Sequence, residues 1–197
     1  MNTRKSGACI REAEAFAAGH DPDPAHARQV CRNALALFDS LRDFHELGPG
    51  DRVLLHAAAL MHDTGYGAGA GKHNKASRDL ILGMKLTGLS IRELMMIACV
   101  ARYHSGPEPE SDHKVYRDLK PRDQEKVSRL AAILRIADGL DRSHAQSAEA
   151  LHVEQDGTAV RICVVQPAAY PDDIAAAVRK GRLFEKVFGV TLEISAE

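Results

Sequence analysis

The sequence contains no tryptophan and no paired cysteines: Cys9, Cys31, Cys99 and Cys163 stand singly, without a C-x-x-C motif or a disulfide-framework spacing. Isolated cysteines favour a reducing compartment. No apolar run approaches the roughly 18 residues of a membrane span, and residues 1–10 lack the apolar stretch of a signal peptide. We therefore expect a cytoplasmic protein without a membrane partner.

The sequence also has no excess of positive or of negative residues. Lys and Arg number 26 and Asp and Glu number 27, which gives a formal net charge of −1. A duplex-binding protein usually carries a basic footprint, so bulk nucleic-acid binding is not expected, although a local basic patch could hold a phosphorylated ligand. A chain of 197 residues with 45% hydrophobic residues is long and apolar enough to bury a large core.

The sequence is rich in histidine, with ten residues. Histidine is the commonest metal ligand and also shuttles protons near neutral pH. The positions of these histidines on the predicted helices therefore point to a functional site.

Five helices are predicted to form the main body of the protein. Asp23 and Pro24 provide an N-cap and a first-turn proline for the first helix, and Ser90 and Glu93 form a capping box at the start of the fourth. Apolar residues recur at helical spacing in the segments that follow. The predicted helices cover about residues 24–44, 49–63, 74–85, 91–104 and 121–138, with a surface loop over 105–120.

The pattern changes after the fifth helix. Apolar and polar residues alternate over residues 151–164 around Asp156 and Gly157, which predicts a β-hairpin. A helix is predicted over 170–188 and a last short strand over 190–194. A two-stranded hairpin alone is marginally stable, so this tail must pack on itself or on the helical body.

The predicted fold class is therefore mostly α, a helical bundle followed by a small β-β-α-β subdomain. We place the boundary between the two near residue 148. The expected domains are residues 1–148 and residues 149–197.

Three of the predicted helices each carry a metal-competent group along or at the end of an apolar stripe: His26 on the first, His62 and Asp63 on the second, and Asp138 on the fifth. Buried imidazoles and carboxylates are costly unless something compensates them, so a divalent cation is expected between them. Two imidazoles and two carboxylates suit Mn²⁺, Fe²⁺, Zn²⁺, Mg²⁺ or Co²⁺. Asp63 would bridge to, or orient, an attacking water, and so is the predicted catalytic residue.

Five further residues extend this site. His73 and His104, at the start of the third helix and the end of the fourth, could supply a second, adjacent cation. Lys75, Arg102 and Arg142 lie close in sequence to the predicted ligands and could hold phosphate oxygens.

A structural interpretation of the same residues stays open. His26 and His62 could be satisfied core histidines, while Asp63 and Asp138 could cap helices, and the basic residues could be ordinary surface charge. His144 could assist the site as a partner or proton donor, or could simply be solvated. The convergence of three helices on one centre favours the metal site.

The order of His26, His62-Asp63 and Asp138 resembles the HD superfamily of metal-dependent phosphohydrolases. From about residue 15 to 195, the chain is similar to the C-terminal half of the exopolyphosphatase/guanosine pentaphosphate phosphohydrolase family. The strings that carry this likeness are HARQVCRNALALFDSL (26–41), LHAAALMHDTGYG (55–67), RYHSG (102–106), LAAILRIADGLDRSH (130–144) and GRLFEKVFGVTLEI (181–194).

The resemblance implies an HD-type bundle with one or two divalent metal ions. In this family an actin-like N-terminal module performs polyphosphate hydrolysis, and none of the matching strings belongs to it, so the likeness carries over the fold and the metal motif but not that activity. One run departs from the family. Where a histidine-rich run ending in His-Ser is common, this chain has Asn74 and Ala76 in place of histidines.

Three hypotheses for function follow. The first is a phosphohydrolase that uses a metal-activated water to cleave a phosphoester or phosphoanhydride of a nucleotide-like or polyphosphate-like substrate. The second is a non-catalytic regulatory module that binds a metal or a phosphate ligand. The third is a partner subunit of a separate actin-like exopolyphosphatase. The chain could also form a homodimer.

Overall fold

The computed structural model describes residues 3–68, 72–166, 168 and 170–197. Helices make up most of this part of the chain, and a small three-stranded sheet lies near the C-terminus, which confirms the predicted fold class. The helices are α1 (Thr3–His20), α2 (Pro24–Ser40), α3 (Arg42–His45), α4 (Pro49–Met61), α5 (His73–Leu82), α6 (Ile91–Arg102), α7 (Lys114–Arg117), α8 (Pro121–Gly139) and α9 (Pro171–Phe188). The strands are β1 (Ala150–Gln155), β2 (Ala159–Val165) and β3 (Thr191–Ala196).

The predicted helix starts agree with the observed ones where a cap is present. The Asp23 side chain accepts a hydrogen bond from the backbone N–H of His26, which satisfies one of the free donors at the start of α2. At α6 the Ser90 hydroxyl accepts from the Glu93 N–H while the Glu93 carboxylate accepts from the Ser90 N–H.

Three predicted helices end two or three residues earlier than expected, at Met61, Leu82 and Arg102, and two predicted segments differ in their make-up. The helix predicted over 24–44 is interrupted at Leu41, whose backbone leaves the helical region and separates α2 from α3. The break lets the His45 ring donate to the Phe38 carbonyl and accept from the Leu47 N–H, so the turn is held by a buried side chain. The loop predicted over 105–120 contains one short helix, α7.

Helix α1 was not predicted from the sequence. Its buried face consists of Cys9, Ala13 and Ala17, which recur every four residues and pack α1 against α4. These are small residues, so the face lacks the large apolar side chains by which an amphipathic helix is usually recognised.

The core lies between α2, α4, α6 and α8, which pack against one another. Helix α8 has α2, α6 and α9 around it, and residues on most of its circumference are buried, as expected of an element surrounded by other helices. Within the described ranges, no helix is both long and apolar enough to cross a membrane.

The sheet has the order β1-β2-β3, with β1 and β2 antiparallel and β2 and β3 parallel. The β1–β2 hairpin turns at Asp156 and Gly157, where Gly157 has a φ of +84° that suits glycine. Helix α9 makes the crossover that a parallel pair requires. It packs on α8 and β3, and its Phe184 ring stacks against Phe44 at 6.1 Å between ring centres. The tail thus packs on the helical body, and the domain boundary at residue 148 stays a prediction.

The crossing of α8 and α9 depends on a glycine. A Cβ atom at Gly139 would lie 2.6 Å from Cα of Ala177 and 2.7 Å from its backbone nitrogen, both of which are backbone atoms. Only glycine lets the two helices approach this closely. Since Gly139 directly follows Asp138, the crossing point lies beside the predicted metal ligand.

Replacing Gly139 with alanine tests this close approach. The added methyl group should force the helices apart, and overpacking of this kind usually lowers the free energy of unfolding by about 1–3 kcal/mol. Urea unfolding followed by circular dichroism measures the change. Gly19→Ala is the matched control, because a methyl group there meets nothing within 4 Å, and its stability should stay equal or rise by up to ~1 kcal/mol. Equal stability of G139A and the native chain would contradict the packing argument.

Candidate metal centre

Five of the predicted ligands meet in the middle of the bundle. His26 comes from α2, His62 and Asp63 follow α4, His104 follows α6, and Asp138 lies near the end of α8. Two groups of three have ligand atoms within 4.8 Å of one another: one is His26, His62 and Asp138, and the other is His62, Asp63 and His104. All five residues are at least nine-tenths buried. We call these five residues the His/Asp cluster.

The individual distances place Asp138 between two imidazoles. Its Oδ1 lies 3.4 Å from His26 Nε2 and 4.0 Å from His62 Nε2. The Asp63 carboxylate also lies near His62, with Oδ2 3.6 Å from His62 Nε2. The carboxylates of Asp63 and Asp138 therefore both approach the same ring nitrogen of His62.

Helix ends orient two of the imidazoles. The last carbonyls of a helix lack backbone partners, and the first ring nitrogen of each histidine uses one of them: His62 Nδ1 donates to the Ala59 carbonyl at 2.8 Å, and His104 Nδ1 donates to the Ala101 carbonyl at 2.6 Å. With Nδ1 used in this way, Nε2 is the ring nitrogen of His62 and of His104 that faces Asp63. This is the arrangement by which metal-binding histidines are usually held.

His26 is oriented by a carboxylate instead. Its Nδ1 donates to Asp141 Oδ2 at 2.8 Å, while Asp141 Oδ1 accepts from the Gln146 N–H. The His144 ring stacks on the His26 ring at 3.9 Å between centres and binds Asp23. Both His144 and Gln146 have positive φ values of 57° and 52°, and such strained positions often cluster at functional sites.

Two buried polar atoms of the cluster have no hydrogen-bond partner: His62 Nε2 and Asp63 Oδ1. An unsatisfied buried polar atom costs about 1–3 kcal/mol, and both atoms are of the kinds that bind divalent metals. The donor set, its burial and these orphaned atoms fit a divalent cation.

The electrostatic surroundings keep the carboxylates ionised. Burial raises the pKa of Asp138, but the Lys180 ammonium and the His26 ring outweigh it and hold the pKa well below the usual value. Burial likewise opposes ionisation of Asp63, and the nearby imidazoles of His62 and His104 lower its pKa overall. Both side chains therefore carry the negative charge that a cation needs.

The imidazoles of His104 and His26 differ in charge. Burial lowers the pKa of His104 to about 3, so this ring is neutral at neutral pH. Burial also lowers the pKa of His26, but hydrogen bonds and charge attraction from Asp138 and Asp141 outweigh burial and raise the pKa to about 10. In the metal-free protein His26 is therefore the cation that partly balances the buried acids.

The second pair of predicted ligands also lies at this centre. His73 Nε2, at the start of α5, lies 3.3 Å from His104 Nε2 and 3.7 Å from Asp63 Oδ1, which in turn lies 3.3 Å from His104 Nε2. The exposed Tyr66 ring lies 5.4 Å from the His73 ring. Asp63 thus faces His62 with one oxygen and the His73–His104 pair with the other.

The predicted phosphate-binding residues do not contact the cluster in the described part of the structure. Lys75 on α5 and Arg142 in the turn after α8 are exposed. Arg102 is buried at the end of α6, with its guanidinium carbon 5.3 Å from the Tyr103 ring centre and its Nε without a partner. In the described part of the structure, no hydrogen bond or ion pair joins any of the three to the cluster, so their role stays a prediction.

The segment around Asn74, which departs from the family pattern, makes hydrogen bonds that link α5 to the segments next to the site. The Asn74 side chain donates to the Ser105 carbonyl, next to His104. Ser77 accepts from the Gly65 N–H, and a Cβ atom at Gly65 would lie 2.3 Å from the Ser77 nitrogen. The start of α5 is thereby fixed to the segments that follow Asp63 and His104.

Three residues of the centre were not predicted. Asp141 is fully buried beneath His26. Asp21, between α1 and α2, is also buried; its Oδ2 has no partner, and burial raises its pKa. Lys180 on α9 donates to Asp138 Oδ2. The position of Asp141, three residues after Asp138 in a turn, could have indicated its role; for Lys180 the sequence offers no such indication.

The pKa of His26 is directly testable. In protein stripped of metal with a chelator, ¹⁵N NMR should find the His26 ring doubly protonated at pH 8. Because the folded pKa of about 10 exceeds the unfolded value of about 6.5, this group contributes stability that is complete below pH 6.5 and is lost as the pH rises towards 10.

Asp141→Asn should lower the pKa of His26 and flatten that loss of stability. Asp39→Asn is the control, because Asp39 pairs with Arg52 far along the surface and should leave the His26 titration unchanged. A His26 ring that titrates near pH 6.5 in the native chain would contradict the assignment.

Comparison with known protein families gives a match over most of the chain. The family model described as Ppx/GppA phosphatase, domain III, matches residues 10–174 of the chain, which includes every member of the His/Asp cluster. No curated protein matches the chain.

Proposed function

We propose, from the premise that this chain belongs to the family of Ppx/GppA phosphatase domain III, that it is an HD-type, metal-dependent phosphohydrolase. Its substrate would be a phosphoester or phosphoanhydride of a nucleotide-like or polyphosphate-like compound. The observation that carries the proposal is the set of buried, partly unpartnered imidazole and carboxylate atoms that several helices bring to one centre.

The HD assignment is supported by which residues meet. A lone histidine on α2, a His-Asp pair after α4 and an aspartate on α8 appear in the HD order and also lie around one point. Satisfied core histidines would have protein partners on both ring nitrogens, whereas His62 has a partner on Nδ1 alone. The structural interpretation of these residues is therefore the weaker one.

His26, His62, Asp63 and Asp138 would hold one divalent cation, and His73 and His104 could hold a second on the other side of Asp63. Such a cation would lower the pKa of water and polarise a phosphoryl oxygen. Asp63 presents one oxygen to each side, so its carboxylate is placed to orient the attacking water.

One observation favours the regulatory module as the second candidate. The predicted phosphate-binding residues Lys75, Arg102 and Arg142 make no described contact with the cluster, so none of the three is placed to stabilise the charge of a transition state. A module of this kind would bind a metal or a phosphate ligand without turnover. The partner-subunit hypothesis stays a prediction.

The test is metal analysis of protein purified without chelator, followed by hydrolysis assays with Mn²⁺ on nucleotides, polyphosphate and a phenyl phosphate ester. We expect bound metal and Mn²⁺-dependent release of phosphate. Asp63→Asn preserves the shape of the side chain but removes its charge, and should lower turnover by about 100-fold or more. Asp118→Asn, at an exposed side chain next to Arg117, is the control and should keep full turnover.

The outcomes separate the two candidate functions. Turnover that survives in the Asp63→Asn variant would contradict the proposed role of Asp63. Bound metal without hydrolysis of any substrate would favour the regulatory module. A native chain that binds no divalent metal would overturn the phosphohydrolase, and one that binds neither a divalent metal nor phosphate would overturn both.

A further inference from the structure

Lys180 is the basic side chain that reaches the His/Asp cluster. It belongs to α9, in the C-terminal tail, and its Nζ donates to Asp138 Oδ2. The other oxygen of Asp138 faces the ring nitrogens of His26 and His62. One oxygen of Asp138 therefore faces the two imidazoles, and the other accepts a hydrogen bond from Lys180.

The position of Lys180 follows from the helix crossing. Gly139 lets the α8 backbone touch the α9 backbone at Ala177. Asp138 lies one residue before this contact, and Lys180 lies three residues after it, which is nearly one helical turn. The lysine is thus held over Asp138 by the closest approach of two helix backbones, not by a flexible loop.

The Lys180 ammonium group has N–H donors in addition to the one that binds Asp138. An ammonium group has three N–H donors, and Asp138 is the one hydrogen-bond acceptor that the described residues give it. Its side chain is 22% exposed, whereas that of Asp138 is 10% exposed. The remaining donors therefore lie at the open edge of an otherwise buried centre, where a ligand can reach them.

Binding of a phosphate at this centre requires a further positive charge. The carboxylates of Asp63 and Asp138 cancel the charge of one divalent cation, so these groups together offer no net attraction to a phosphate dianion. Lys180 adds a positive charge in direct contact with the cluster. Among the described lysines and arginines, no other one forms an ion pair with a cluster residue.

We propose that Lys180 binds a non-bridging phosphoryl oxygen of the ligand at this centre, so that the C-terminal tail completes a phosphate site whose metal ligands come from the helical body. This inference rests on the proposed function. Asp138 fixes the ammonium through one N–H, and a second N–H donates to the phosphoryl group. As negative charge builds up on that group, the same contact stabilises it.

The test measures binding, not turnover. Isothermal titration calorimetry with Mn²⁺ and then with inorganic phosphate is carried out on the native chain, K180M, K180Q and K186M. Lys186 is the matched control, since it lies on the same helix but is 72% exposed and pairs with Glu108. Two substitutions at position 180 are used so that the result does not depend on the folding of one of them.

We expect all folded variants to bind Mn²⁺ with the stoichiometry of the native chain. Loss of a charged hydrogen bond, worth about 1.5–3 kcal/mol, should weaken phosphate binding to the Mn²⁺-loaded protein by about tenfold or more in K180M and K180Q. K186M should bind phosphate as the native chain does.

The failures are distinguishable. If K180M or K180Q binds Mn²⁺ and also binds phosphate as tightly as the native chain, Lys180 is only a counter-ion of Asp138 and the inference is overturned while the proposed function stands. If the native chain binds no Mn²⁺, the proposed function fails and the inference fails with it.

Discussion

The burial of ionised carboxylates inside an apolar helical bundle is the constraint on which the rest of this structure depends. Asp63 and Asp138 are each 7% exposed, and the effective penalty for burying a charged group is several kcal/mol unless partners compensate it. Imidazoles in or next to four helices and an ammonium from a fifth lie around them and compensate this charge. The packed core fixes the distances between these groups, because the helices that carry them cannot shift without opening cavities.

Much of the fold could be predicted because it is encoded locally. The caps at Asp23 and Ser90 and the Asp156-Gly157 turn are set by a few neighbouring residues, and each lies where the pattern predicts it. The placement of His26 and Asp138 could also be inferred, because an apolar stripe of period 3.6 determines which side of a helix faces the core. Local patterns therefore predicted which imidazoles and carboxylates lie near one another, while their role as metal ligands stays a prediction.

The rest depends on contacts between elements distant in sequence. Lys180 and Asp138 are 42 positions apart, and their contact requires the angle and the depth at which α9 crosses α8, which no periodicity encodes. Asp21 reaches the surroundings of the centre from a link between helices, where burial cannot be inferred from a stripe. Helix α1 was missed for a different reason, because small residues such as Ala13 and Ala17 bury a helix face without raising its local hydrophobicity.

The backbone contact between Gly139 and Ala177 also determines where the chain can tolerate a change in length. One residue inserted into α9 between Ala177 and Lys180 would rotate the lysine by about 100° around the helix axis and carry it away from Asp138. The same insertion after Lys180 would leave that side chain in place and disturb instead the register of β3 against β2. Insertions and deletions in relatives should therefore be rare between the two residues and fall more often outside α9.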